Sequence, residues 1–126
     1  MGLFSALMGN AGAVSQEDLK KNYGTLLTDN EEIELGFKLI RDTFIFTNKR
    51  LIIVDVQGLT GSKTEYVSIA YKAISRFSVE TAGTFDLDAE LKIWVSSETI
   101  PSIRKKFNKS VNVFDVQKLL AHHVLG

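Results

Sequence analysis

The sequence predicts a mainly β fold: a bent sandwich or partly open barrel of about seven antiparallel strands, with a C-terminal capping helix and an extra N-terminal helix. Three observations carry this. Short runs rich in β-branched and aromatic residues recur with turn residues between them, as in IELGFKL, TFIFT and RLIIVDV. The final stretch NVFDVQKLLAHHV repeats its apolar residues at helical spacing instead, and a striped helix needs a hydrophobic mouth to cover. The composition is that of a folded domain: 126 residues, 44% hydrophobic and 24% charged, enough to bury one core without disulfides or metal.

Ser15 followed three residues later by Asp18 makes a capping box, and Leu19, Tyr23, Leu26 and Leu27 continue at helical spacing, so a helix is expected over Ser15 to Leu27. Thr28, Asp29 and Asn30 break it. Ile33, Leu35, Phe37 and Leu39 then alternate with Glu32, Glu34, Gly36 and Lys38, the pattern of a half-buried strand. Arg41-Asp42 turns the chain into TFIFT, and Asn48-Lys49 turns it again into RLIIVDV. Gly58 and Gly61 bound the turn before TEYVSI, SRFSVE is the next strand, and Ala82-Gly83 closes it. In FDLDAELKIWVS one face holds Phe85, Leu87, Ala89, Leu91, Ile93 and Val95 and the other Asp86, Asp88, Glu90, Lys92 and Ser96, with a bend expected near Asp88. IPSIRKKF is a seventh strand placed at an edge, because Pro101 lacks an amide donor. Asn112 caps the last helix, with Asp115 at its third position and Val113, Val116, Leu120 and Val124 as its stripe. This divides the chain into an N-terminal arm and helix, residues 1–30, and a β domain, residues 31–126.

Fifteen basic side chains balance fifteen acidic ones, so no global field steers the molecule onto nucleic acid or an anionic membrane. The absence of cysteine removes thiolate metal sites and cysteine nucleophiles and fits a reducing cytoplasm. The opening MGLFSALMGNAGAV lacks a basic segment and the roughly twenty apolar residues of a membrane span. Ala6 stands where a myristoylation signal needs Ser or Thr. Leu3, Phe4, Leu7 and Met8 suit a weak anchor, an inter-subunit arm or a frayed end.

The run FTNKRLIIVDVQGLTGSKTEYVSIAYKAISRFSVETAG, continued by DLDAELKIWVS, resembles the bacterial pleckstrin-homology domains, long grouped as a family of unknown function. The most specific parts are TNKRLI, the QG-x-TG turn, the SI-x-Y segment and the ETAG turn, and the resemblance covers Glu31 to Leu125. It implies two packed sheets capped by the C-terminal helix, and ring-shaped homo-oligomers. The family usually shows proline in the SI-x-Y segment, where this chain has Ala70. Eukaryotic relatives bind phosphoinositide headgroups through a basic first hairpin, which directs attention to Lys38 and Arg41 as ligand-binding candidates, with Glu34 and Asp42 opposing their field.

TGSKT looks like a phosphate-cradling loop, but Ser62 separates Gly61 from Lys63 and a strand follows where a P-loop needs a helix, so it reads as a glycine hairpin. Asn48, Lys49 and Arg50 form a second polar hairpin. Arg104, Lys105, Lys106 and Lys109 form the densest basic cluster, which reads better as edge-strand protection than as an RNA surface. Trp94 shares an outward face with Lys92, and a large indole there either anchors an interface or is covered by its own subunit. Trp94, Tyr66 and Lys92 are the interface candidates. His122 and His123 are adjacent and point about 100° apart on a helix, which suits dipole compensation rather than a metal. No nucleophile stands with a base, and Asp86 with Asp88 suits a solvated strand edge.

The expected function is a non-enzymatic cytoplasmic module without cofactor or metal, forming a cyclic homo-oligomer and offering its loops to a protein partner. The alternative is a domain binding acidic phospholipid headgroups, weakly, through Lys38 and Arg41. Nucleic acid and small-molecule substrates are not expected.

Overall fold

Strands β3 (Thr43–Thr47) and β4 (Arg50–Gln57) are apolar on both faces because both faces are covered. The computed structural model describes residues 13–81, 89–107 and 111–126. One face turns Phe44, Phe46, Leu51 and Ile53 into the main core, and the other turns Ile45, Ile52 and Val54 under the N-terminal helix. Burial on both faces removes the need for alternation, which is why these two strands read as dense apolar runs.

The antiparallel sheet that holds them runs in the order β1 (Ala13–Val14), β2 (Ile33–Lys38), β3, β4 and β5 (Lys63–Ala70). β1 was not expected; its two residues pair with Phe37 and Gly36, too short a run to leave a periodic signal. Helix α1 (Gln16–Tyr23) begins as the capping box implies, with the Asp18 amide donating to Ser15 Oγ at 3.1 Å. The helix is shorter than expected: a 3-10 turn, Gly24–Leu26, follows it, because glycine holds α geometry poorly. Leu26 and Leu27 still pack with the outer core beside Leu19 and Tyr23. A Cβ on Gly36 would lie 2.5 Å from Leu19 Cδ1 and 3.0 Å from the Phe44 carbonyl oxygen, so the missing side chain is what lets α1 sit this close to β2. β1 and α1 are therefore built onto the sheet.

A 3-10 turn at Tyr71–Ala73 leads into the second sheet, ordered β6 (Ile74–Thr81), β7 (Ala89–Val95) and β8 (Ile103–Phe107). Ala70, where the family shows proline, has φ −67°, the value a proline ring imposes, so the backbone shape survives without the ring. Helix α2 (Val113–Val124) starts at Asn112, whose Oδ1 accepts from the Phe114 amide at 3.0 Å. Its Val113, Val116, Leu119 and Leu120 close a core to which both sheets contribute, including the edge-to-face pair Phe44 and Phe107 with centroids 5.3 Å apart.

The seven expected strands correspond to β2 through β8, and Pro101 lies just before an edge strand as anticipated. Phe85, Leu87, Asp86, Asp88 and the bend near them lie outside the described residues, as do Leu3, Phe4, Leu7, Met8 and Lys109.

Candidate functional site

The polar groups with the densest contacts form a brace. Glu31 is buried, and its carboxylate accepts from Arg50 Nε at 2.8 Å and Nη2 at 3.0 Å, from the Thr28 amide at 3.0 Å and from Thr47 Oγ1 at 2.7 Å. The same guanidinium donates to the Leu26 carbonyl at 2.6 Å and to Ser68 Oγ at 2.7 Å. Arg50, read as part of a polar hairpin, thus ties the segment after α1 to β4 and β5. Burial alone would raise the Glu31 carboxyl; hydrogen bonds from Arg50, Thr28 and Thr47 and the charge of Arg50 override it, lowering the pKa from 4.5 to about 2. A depressed carboxyl stabilises the fold above its unfolded pKa and stops doing so below its folded one. Unfolding free energy should therefore fall by on the order of 2–3 kcal/mol from this group as pH drops from 4.5 toward 2. Denaturant titrations across that window check it, with Glu31→Gln losing that share of the slope.

The basic run on β8 is split by strand parity. Lys105 turns toward the first sheet, its ammonium 2.9 Å from Asp42 Oδ2 and 3.2 Å from Asp55 Oδ1. Burial would lower its pKa, but the two carboxylates raise it above the usual range. Arg104 and Lys106 are exposed, with Arg104 Nε 3.8 Å from Glu90 Oε2. The run is therefore not one surface cluster.

Lys38 and Arg41 do share the first hairpin, and both are exposed. Arg41 Nη2 donates to the Gly58 carbonyl, which joins the β2–β3 turn to the β4–β5 turn. Gly58 and Gly61, at φ 84° and 71°, shape that second turn and the chain enters β5 directly, so TGSKT is a hairpin. The two joined turns carry large apolar side chains that sequence reasoning passed over: Ile40 is 78% and Leu59 105% exposed.

Trp94 lies on the expected face of β7, but the free indole that an interface anchor needs is not there; it is 8% exposed. Arg76 stacks 4.2 Å from the ring centroid and Nε1 donates to the Thr99 carbonyl at 3.3 Å. Ser96, at φ 58°, turns the chain back over the ring, so the subunit covers its own tryptophan. Lys92 on the same face meets Glu80 at 3.2 Å and Glu90 at 4.0 Å. Tyr66 lies on the other sheet, 52% exposed and opposite Val54, so the three interface candidates do not form one patch.

Tyr66 belongs instead to an open edge. Along β2 the opposite edge of that sheet is covered by β1 and by Gln16, whose Nε2 donates to the carbonyls of Ile33 and Glu34 at 2.9 and 3.1 Å. β5 is paired only with β4 among the described residues, over eight residues. Beside it a cleft of about 410 Å³ has Val67, Ile69, Val95 and Ile103 as apolar lining and Asp55, Glu65 and Glu98 as acidic lining. His123 is also occupied: Nε2 is 2.7 Å from Glu34 Oε1 and the ring stacks on Tyr71, whose hydroxyl donates to the Thr47 carbonyl at 2.6 Å. Among the described residues no three His, Asp or Glu side chains converge as a metal site would require, and no helix is long and apolar enough to cross a membrane.

Two antiparallel sheets around one core, closed by a C-terminal helix, define a pleckstrin-homology-like domain. The family model described as Bacterial PH domain matches residues 2–124, and the chain belongs to that family. It is 52% identical over 121 residues to the uncharacterized protein YjqA of Bacillus subtilis (strain 168), covering 96% of this chain and 97% of that one. The crystal structure of a pleckstrin homology domain from Shewanella amazonensis SB2B is similar with a TM-score of 0.83 and 50% identity, over 99% of this chain and all 100% of that one. A DUF1696 family protein with a pleckstrin-homology domain from Shewanella loihica PV-4 gives 0.77 and 48%, over 92% and 98%.

Proposed function

We propose that this protein is a non-enzymatic, cytoplasmic scaffold module that assembles with copies of itself into a closed ring and offers its hairpin loops to a protein partner. The open edge of β5 carries this reading. Eight residues of edge strand with an exposed tyrosine are an association hazard unless a partner covers them. The same sheet's other edge is covered along β2 by β1 and the Gln16 side chain, so the two edges of the sheet differ in how they are protected. Light scattering coupled to size-exclusion chromatography at tens of micromolar tests it: a defined multimer is expected, and a single-chain mass overturns it.

Ile40 and Leu59 favour a second reading, attachment to acidic phospholipid headgroups. Their side chains project from joined turns flanked by Lys38 and Arg41, an arrangement suited to an anionic interface. Sedimentation with phosphatidylglycerol vesicles should then weaken in Lys38→Glu/Arg41→Glu and in Ile40→Ser/Leu59→Ser. Binding unaffected by either pair removes this reading.

A further inference from the structure

We infer that residues 1–12 are held over the two joined turns of their own subunit, with Leu3, Phe4, Leu7 and Met8 covering Ile40 and Leu59. These are the same turns that the lipid reading uses, but their cover does not depend on that reading. β1 runs antiparallel to β2 with Ala13 opposite Phe37 and Val14 opposite Gly36, so the chain before Ala13 leads toward Lys38 and the β2–β3 turn. It therefore arrives beside Ile40. Ile40 lies three residues beyond Phe37, about 10 Å at the rise of a strand, and the twelve residues before Ala13 span about 18 Å even as a helix. Leu59 falls within the same reach, because Arg41 Nη2 donates to the Gly58 carbonyl and ties the second turn to the first.

The two surfaces also match in chemistry. Leu3, Phe4, Leu7 and Met8 stand at i, i+1, i+4 and i+5, the spacing that gathers side chains on one face of a helix, and residues 1–12 include no charged side chain that would meet Lys38 or Arg41. Gly9, Asn10 and Gly12 separate that stripe from β1, and these residue types let a chain reverse. Ile40 and Leu59 are largely open to water among the described residues, although they adjoin across the joined turns. Covering them removes an apolar patch and the association that such a patch invites.

The chain has no cysteine, so a disulfide between two introduced ones reports the contact. Ser5→Cys is combined in turn with Thr60→Cys beside Leu59, Ser97→Cys on the β7–β8 loop and Lys118→Cys on α2, three exposed positions. None of these changes removes an apolar side chain from the contact. Under glutathione disulfide at low micromolar protein, the Thr60→Cys combination should close within one chain about tenfold faster or more than the other two, because the held segment raises the effective concentration of one thiol around the other. Adding Leu3→Ser/Phe4→Ser/Leu7→Ser should abolish that preference. Equal rates at the three positions, a preference for Ser97→Cys or Lys118→Cys, or a link that forms as readily with the two cysteines on separate chains overturns the inference. A second measurement needs no cysteine: Leu3→Ser/Phe4→Ser/Leu7→Ser should raise the fluorescence of anilinonaphthalene sulfonate, and adding Ile40→Ser/Leu59→Ser should reverse the rise. An unchanged signal in the first of these overturns it. Phosphatidylglycerol vesicles separate a bilayer from the chain's own segment as the occupant. The Leu3→Ser/Phe4→Ser/Leu7→Ser protein should sediment with them no less than the unaltered protein, and a loss of sedimentation would assign these side chains to the bilayer and overturn the inference.

Discussion

Replacing Arg50 with methionine should cost about 3–5 kcal/mol of unfolding free energy at neutral pH. Methionine fills much of the same space, so the loss is electrostatic. The Glu31 carboxylate would stay buried with only Thr47 and the Thr28 amide as donors, and the Leu26 carbonyl and Ser68 hydroxyl would lose theirs. An ionised carboxylate without its cation is the costly outcome of breaking a buried pair, more than the pair's own net worth. Glu31→Gln in the same background should recover part of the loss, because the amide needs no counter-ion. Urea unfolding of the two single variants and the double at one protein concentration measures this, with fixed concentration needed because the proposed self-assembly would add to apparent stability. A double variant that loses the full sum of the two would show that Glu31 and Arg50 act independently.

The second large effect is at the contact between α1 and the sheet. Leu19→Ala should cost about 2–5 kcal/mol, since the side chain is buried among Ile33, Ile45, Ile52 and Val54 and little around it can collapse into the space. Gly36→Ala should cost about 1–3 kcal/mol by overpacking, because the new methyl meets Leu19 Cδ1 and the Phe44 carbonyl. Together they should cost less than their sum, as the shortened residue 19 makes room for the methyl. Additivity within error would mean that the strand backbone, rather than α1, rejects the methyl.

The strands and helix caps were legible because their signals are local. Alternation in Ile33 to Leu39 reports one covered face, and Ser15 and Asn112 cap the helices that they were expected to cap. The contacts that define the surface were not legible because they link distant residues. Glu31 finds Arg50 nineteen positions away, and no spacing rule joins a residue after a helix to one opening a strand. Parity placed Trp94 on the correct face of β7, but could not report that the turn at Ser96 folds back to cover it. Lys105 reads as one of a basic run and is withdrawn by carboxylates from the β2–β3 turn and β4. Ile40 and Leu59 were passed over because isolated apolar residues in turns carry no periodicity. The edge of β5 is a property of sheet order, which appears only once the strands are assembled.

A ring built through β5 requires that this strand be covered in solution. In an antiparallel ladder the amides of an edge strand alternate between those directed at the neighbour and those directed away. Hydrogen exchange along Lys63–Ala70 in the native protein measures both sets. Slow exchange in both is the result that the proposed ring predicts, because a neighbouring copy would then supply the acceptors that β4 does not. If the outward set exchanges at the rate of solvent-exposed amides while the β4-directed set stays protected, the edge is open in solution and the scaffold account is contradicted.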